Sequence, residues 1–258
     1  MKHILASLSL LFSLSLMAQN KTIAFGEKLV FTASYNMSGL LTDIAQVSME
    51  TSKVSTSKST LMRLKCSATT YSSFDSFFKI RDLYESYVSP TSLTPYLYKR
   101  EIDEGGYYKF MQYKYSHKTR TINSLMKKRR SDGTIWEVKK NVNFSNGTKD
   151  LVATLYTLRN LDIDEASVGD ASSFKVLFDN EESTIVFKYL GKETISSNIG
   201  TKECYKIAIS LKGSDVIKGN ANIIWLTADA NKVPVLAKFK IPVGNGELKI
   251  KSATGLKH

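Results

Sequence analysis

Asp150-Leu151-Val152-Ala153-Thr154-Leu155-Tyr156-Thr157-Leu158-Arg159-Asn160 is the one stretch beyond the amino terminus with a convincing helical pattern. Leu151, Leu155 and Leu158 fall at i, i+4 and i+7 and so share one face of a helix. Asp150 suits the N-cap, and Arg159 and Asn160 suit the far end. A helix this short is marginal alone in water, whereas burying three leucines contributes roughly 1.5 to 3 kcal/mol each. The pattern therefore predicts a helix docked by its leucine stripe on whatever surrounds it.

What surrounds it reads as strands. Leu29, Phe31, Ala33 and Tyr35 alternate with Val30, Thr32 and Ser34, and Ala45, Val47 and Met49 continue the alternation after a turn at Asn36 to Gly39. Ser52 to Thr60 is a polar break before a strand with Met62, Leu64, Cys66 and Ala68 on one face, and Phe74 to Phe78 is an aromatic knot. Strands are expected over Ile80–Val88, Tyr96–Ile102, Tyr107–Tyr115, Thr119–Met126 and Thr134–Phe144, with turns at Asp103-Glu104-Gly105-Gly106 and Ser131-Asp132-Gly133. Tyr107–Tyr115 is aromatic on both sides.

After an acidic loop, Leu161 to Asp170, the pattern resumes. Phe174 to Phe178, Thr184–Tyr189, Lys192–Ser197, Glu203–Leu211, Ala221–Thr227, Pro234–Ile241 and Gly246–Ala253 read as strands, with turns marked by Asn180, Gly191, Asn198 to Gly200, Gly213, Asn231 and Gly244-Asn245-Gly246. The fold class is all-β: an antiparallel β-barrel or half-barrel of about 14 short strands with one docked helix over 150–160. A membrane barrel fits less well, because Lys109, Lys188, Lys206 and Lys238 sit mid-strand where a lipid-facing band would be apolar.

Met1-Lys2-His3 and the apolar run Ile4 to Met17, ending at Ala18-Gln19, read as a secretory signal peptide over 1–18. Residues 19–258 are then expected to form a single β-barrel-like domain outside the cytoplasm, in the periplasm or cell envelope of a Gram-negative bacterium, without a transmembrane span. The formal charge of +12 becomes +11 when Lys2 leaves, which in an exported protein favours solubility or anionic envelope components over nucleic acid. Cys66 and Cys204 fall on strands whose patterns do not require them to meet, so two separate thiols are favoured over a disulfide.

Several signatures occur together in order: Gly26-Glu27 before the first strand, Phe77 to Asp82 leading to Leu93-Thr94-Pro95, the helix Asp150 to Arg159, and Trp225-Leu226-Thr227-Ala228-Asp229 followed by Val233-Pro234-Val235. In this the chain, from about Phe25 to Leu248, resembles the bacterial domain-of-unknown-function 3108 family of exported proteins. The resemblance implies an antiparallel β-barrel-like fold in the periplasm or envelope and implies no enzyme activity.

The chemistry available agrees with a non-catalytic protein. His3 leaves with the signal and His258 is terminal, so His117 alone would have to serve a Ser-His-Asp or Cys-His site, and a His-rich metal site is excluded. Asp162 with Asp164 and Glu181 with Glu182 lie in expected loops, where solvated turns are the simpler reading. No catalytic residue, metal or cofactor is assigned. Candidate ligand contacts are Asp150, Tyr156 and Arg159 on a polar helix face turned to the lumen, together with Trp225; the same helix residues would equally form a hydrogen-bonded clamp between helix and sheet. Lys127, Lys128, Arg129 and Arg130 form a basic corner able to meet an anionic surface. The functional expectation is an envelope protein that binds a lipid, glycan or other amphipathic component in a barrel cavity. Its alternative is a structural or assembly factor that binds another envelope protein through a sheet edge or aromatic patch.

Overall fold

The computed structural model describes residues 19–37, 39–212, 222–241 and 244–258. The expected signal peptide, the turn at Gly213 and Ala221 lie outside the described residues. Fourteen antiparallel strands form one continuous sheet: β1 Lys28–Met37, β2 Leu40–Ser55, β3 Thr60–Thr70, β4 Arg81–Val88, β5 Pro95–Glu104, β6 Tyr107–Ser116, β7 Thr121–Arg129, β8 Ile135–Asn143, β9 Ala171–Phe178, β10 Glu181–Ser197, β11 Gly200–Leu211, β12 Ile223–Thr227, β13 Pro234–Ile241 and β14 Gly244–Thr254. The helix α1, Leu151–Leu158, stands between β8 and β9.

The chain starts in the middle of the sheet. It meanders outward from β1 to β8, crosses by way of α1 to the opposite edge at β9, and meanders back until β14 pairs with β1. Edges β8 and β9 are not hydrogen-bonded to each other, so the barrel is not closed by its ladder. Closure falls to two other devices. Lys149 forms a parallel bridge with Val176 of β9, bonded at 3.0 and 2.8 Å, so the chain entering the helix covers that edge. The β9–β10 turn, Asp179-Asn180, reaches across to β5, β6 and β7: Asp179 takes Arg100 and Lys109, the Asn180 amide donates to the Tyr113 hydroxyl at 3.0 Å, and Ser124 Oγ donates to Asn180 Oδ1 at 2.6 Å.

Alternation places Leu64, Tyr98, Met111, Tyr113 and Ile122 on the inner face, where they are buried with Val152, Ala153 and Tyr156 of α1. The outward aromatics are explained differently. Arg129 lies 5.1 Å over Tyr108, Lys99 5.8 Å over Tyr87, and Lys206 and Lys238 lie 5.5 and 6.0 Å over Trp225. Cation–π contacts of this kind cover aromatic area without a second apolar layer. They account for aromatic residues on both strand faces without a ligand-filled lumen.

Three expectations are corrected. The leucine stripe is not the buried face: Leu158 is buried, but Leu155 is 36% exposed and Leu151 only half-buried. The helix is enclosed on its other side because Ala153, Thr154 and Thr157 are small, and the two threonine hydroxyls bond back to Asp150 O and Ala153 O at 2.8 and 2.7 Å. Gly191 does not end a strand. It lies in a bulge, φ +108°, within the 17-residue β10, and so merges two expected strands into one. The basic corner is mostly strand, since Lys127, Lys128 and Arg129 pair in register with Glu137, Trp136 and Ile135 of β8.

Candidate functional site

A half-open cavity of about 410 Å³ lies between the concave face of β10 and β11 and the loop that follows the helix. Alternation supplies its floor, because Phe187 and Tyr189 of β10 and Ile207 of β11 point to the same face as the buried Ile224 and Leu226. Its roof is the acidic loop. Ile163 is buried and anchors that loop; Leu161 and Ala166 complete the apolar lining. The loop is fixed to β10 by a pair of backbone bonds, Gly169 N to Tyr189 O and Tyr189 N to Asp170 O, each 2.9 Å, and Gly169 takes φ +105° to make the turn.

Four acids lie on or beside this loop, and they divide by role. Asp164 is not part of the lining and accepts from the Tyr205 hydroxyl and from Lys232 Nζ at 3.2 Å; the tyrosine bond, followed by the nearby ammonium, holds its carboxyl below the usual range. Asp162, Glu165 and Asp170 line the cavity mouth and are exposed. Among the described residues none of these three has an ion-pair partner, although Asp170 caps the Ser167 amide at 2.9 Å. A cavity with an aromatic and aliphatic floor and carboxylate acceptors at its mouth suits a ligand with an apolar face and hydroxyl or ammonium donors. A phosphate would meet like charge there.

The residues singled out in the sequence lie elsewhere. Asp150 is the N-cap, fully buried, accepting from the Ala153 amide at 2.8 Å and the Ser86 hydroxyl at 2.6 Å. Burial raises its pKa to about 6 against those bonds. Arg159 forms a bidentate pair with Glu27 at 2.5 and 2.8 Å with neither side chain exposed, and donates to Asn231 O at 2.9 Å. Asn231 in turn holds the last residue through His258 O at 2.7 Å, while Thr22 donates to Arg159 O at 3.1 Å. Helix, first strand and both described ends of the chain thus meet at one guanidinium. Trp225 sits on the sheet face opposite Ile224 and Leu226, its indole donating to Glu193 at 3.0 Å. His117 Nε2 meets Pro95 O at 2.7 Å. Cys66 and Cys204 are free, and burial pushes their thiols up to about 12 and about 11.

Tyr156 is fully enclosed, and its hydroxyl has no hydrogen-bond partner among the described residues. Replacing it by phenylalanine therefore leaves the melting temperature unchanged or raises it slightly, because a desolvated hydroxyl without a partner contributes nothing. A calorimetric scan of Tyr156→Phe checks this, and a loss above about 1 kcal/mol would show that the hydroxyl is engaged.

Asp82 on β4 adds a pH dependence. Burial, reinforced by the neighbouring Glu104 carboxyl, raises its pKa to about 7. Between about pH 4 and pH 7 the folded protein then keeps a proton that the unfolded chain has released, so stability is full at the acid end of this window and falls as the pH rises through it. Denaturant midpoints across that range should decline for the native chain and decline less for Asp82→Asn.

The family model for the protein of unknown function DUF3108 matches residues 30–251. This chain belongs to the DUF3108 family. No curated protein matches it. The crystal structure of a beta-barrel-like protein of the DUF1849 family from Brucella abortus is similar at a TM-score of 0.52 and 8% identity, covering 89% of this chain and 97% of that one. At that identity the likeness shows the fold alone: a barrel-like antiparallel sheet, here unclosed and carrying one short helix. A protein from Parabacteroides distasonis designated a lipoprotein (12% identity, TM-score 0.33) and one from Bacteroides fragilis designated an exported protein with a YmcC-like fold (8%, 0.33) each align over 90% of the DUF3108 chain and 97% of their own.

The cavity roof is what the sequence reading missed. Its signal was present: Leu161, Ile163 and Ala166 give the acidic loop an apolar side that a solvated loop does not need.

Proposed function

We propose that this protein is a non-catalytic binding protein of the periplasm or cell envelope that holds a sugar-like or amine-bearing amphipathic component in the cavity under the 161–170 loop. The observation that carries the reading is the pairing of an apolar floor, Phe187, Tyr189 and Ile207, with three exposed carboxylates that have no ion-pair partner among the described residues, in a protein whose cations outnumber its acids by 36 to 24. Carboxylates without a cation at a cavity mouth have oxygens free to accept hydrogen bonds from a ligand, and a space of about 410 Å³ takes a sugar-sized head or a short apolar segment rather than a pair of full acyl chains. Binding in the barrel interior is less favoured, because the inner tyrosines pack on the helix. The reading as an assembly factor acting through a sheet edge ranks second: β8 has a free edge, but Lys139 and Lys140 on it discourage strand addition.

The test is native mass spectrometry, without detergent, of the chain purified from its own envelope, beside an Ala166→Trp variant that fills the cavity from its roof. A one-to-one adduct on the native chain, absent from the variant, is the expected result. A bare mass for the folded native chain contradicts the proposal.

A further inference from the structure

We propose that one end of the barrel, formed by the tips of the β1–β2, β3–β4, β5–β6 and β7–β8 hairpins, docks on an anionic lipid surface. Antiparallel register puts these four tips side by side along one rim of the sheet. They carry Leu40, Leu41, Phe77, Phe78, Tyr107 and Ile135, which are half of the exposed large apolar residues among those described; Phe77 is 77% and Leu40 71% exposed. The other six are dispersed over the molecule, so the concentration belongs to this end.

The opposite ends of the same strands make the contrast. Their turns, Thr56 to Ser59, Ser89 to Thr94 and His117 to Arg120, are mostly Ser, Thr and basic residues with Leu93 buried, and the exposed large apolar side chain beside them is Tyr96, which packs edge-on against His117. An ordinary solvated barrel has no reason to treat its two ends differently.

Cations flank the apolar tips. Lys79 follows Phe78, and Lys128, Arg129 and Arg130 lead to the β7–β8 turn. Among the described residues none of these four has a carboxylate within ion-pair distance. Three neighbouring acids are taken, Asp75 by Arg81 at 2.5 Å, Asp132 by the Thr134 amide at 2.9 Å, and Glu137 by Lys127 and Lys139 at 3.5 and 3.2 Å, while Asp103 and Glu104 at the β5–β6 tip have no ion-pair partner among the described residues. Apolar tips entering a headgroup layer, with guanidinium and ammonium groups at the level of its phosphates, make the complement of an anionic membrane.

The rim is also pre-formed. Gly105 N donates to Lys79 O at 2.9 Å, and the Phe78 ring lies where a side chain on Gly105, at φ +52°, would stand, so the β3–β4 loop and the β5–β6 tip form one unit. Little ordering entropy is left to lose on docking. The surface is remote in sequence from the cavity loop and does not depend on the ligand proposed above.

Sedimentation of the chain from Gln19 onward with vesicles of phosphatidylcholine alone, or of phosphatidylcholine with phosphatidylglycerol, tests the proposal. The expected result is salt-sensitive binding to the anionic vesicles. Arg129→Gln with Arg130→Gln weakens it about twenty-five-fold, at roughly fivefold per cation, and Leu40→Ser with Phe77→Ser abolishes it while leaving the melting temperature unchanged. Absence of binding to either vesicle, or binding that survives both pairs of substitutions, overturns the proposal. So does a dimer of the native chain, lost in Leu40→Ser with Phe77→Ser, that binds no vesicle: it would assign the rim to a second copy.

Discussion

Arg159→Met is expected to lower the stability of the protein by about 3 to 5 kcal/mol, because it strands the Glu27 carboxylate where no water reaches. Both side chains are fully buried, and the two bonds between them, at 2.5 and 2.8 Å, are the only ones the carboxylate makes to a cation among the described residues. In a chain of this length that loss corresponds to a fall of roughly 6 to 20 °C in melting temperature. Glu27→Gln should cost less than Arg159→Met, since an amide still accepts one guanidinium bond. The double variant Glu27→Leu with Arg159→Met should cost much less than the sum of the single changes, because no unpaired charge remains. Equal and additive losses would mean that the pair acts only through packing.

Asp179→Asn is the second substitution with a large expected effect, at about 2 to 3 kcal/mol. Asp179 occupies a left-handed conformation, φ +48°, that asparagine also tolerates, so the change isolates the charge. What it leaves behind is Arg100, 2% exposed, and Lys109, 10% exposed, both facing the turn without a counter-ion. Asp179 itself is 42% exposed, which puts the cost below that of a fully buried pair. Burial alone would raise its carboxyl, but Lys109 and Arg100 together hold it below the usual carboxylate range. Its contribution is therefore present near neutrality and is lost as the pH falls through that lowered value, a sign opposite to that of Asp82. Urea denaturation from pH 7 downward separates the two: the native chain and Asp179→Asn should differ at pH 7, and the difference should shrink as the pH falls below the ordinary carboxylate range.

These two charge clusters do what the sheet does not. The ladder runs unbroken from β8 to β9 the long way round and leaves its ends apart, so the concave space has to be filled by α1 and braced by the β9–β10 turn. This explains why the helix is enclosed on the side that helical periodicity assigned to solvent. Leu151, Leu155 and Leu158 satisfied the spacing rule, but a spacing rule supposes one apolar neighbour. A helix held between two sheet halves buries whichever side approaches closest, and Ala153, Thr154 and Thr157 approach closest because they are small. The strand pattern was legible for the opposite reason: alternation needs only a sheet with one wet face, and β6 reads directly from Met111, Tyr113 and Tyr115. Gly191 misled because a turn and a bulge both want its positive φ, and only the partner strand decides between them.

The candidate site was less legible than the fold. Phe187, Tyr189 and Ile207 alternate like any core residues, and whether such a face ends under a helix or under a loop with space beneath it is a tertiary fact. Asp150, Tyr156 and Arg159 attracted attention because polar groups on an amphipathic helix are expensive to bury. They are buried, and apart from the Ala153 amide that donates to Asp150, the bonds that offset the cost come from distant segments: Ser86, Glu27, Asn231. Spacing along the helix carries no information about those partners.

The proposed binding site lies beside the helix, under the 161–170 loop, and not against the inner tyrosines that pack on α1. Amide hydrogen exchange of the native chain, with and without the component that co-purifies with it, tests this most directly. Added protection confined to residues 161–171 and to the β10 and β11 amides near Tyr189 and Ile207, with α1 unchanged, is the predicted result. Protection concentrated on α1 and on the strands that carry Tyr98 and Tyr115, with the loop unchanged, would place the ligand in the barrel interior and contradict it.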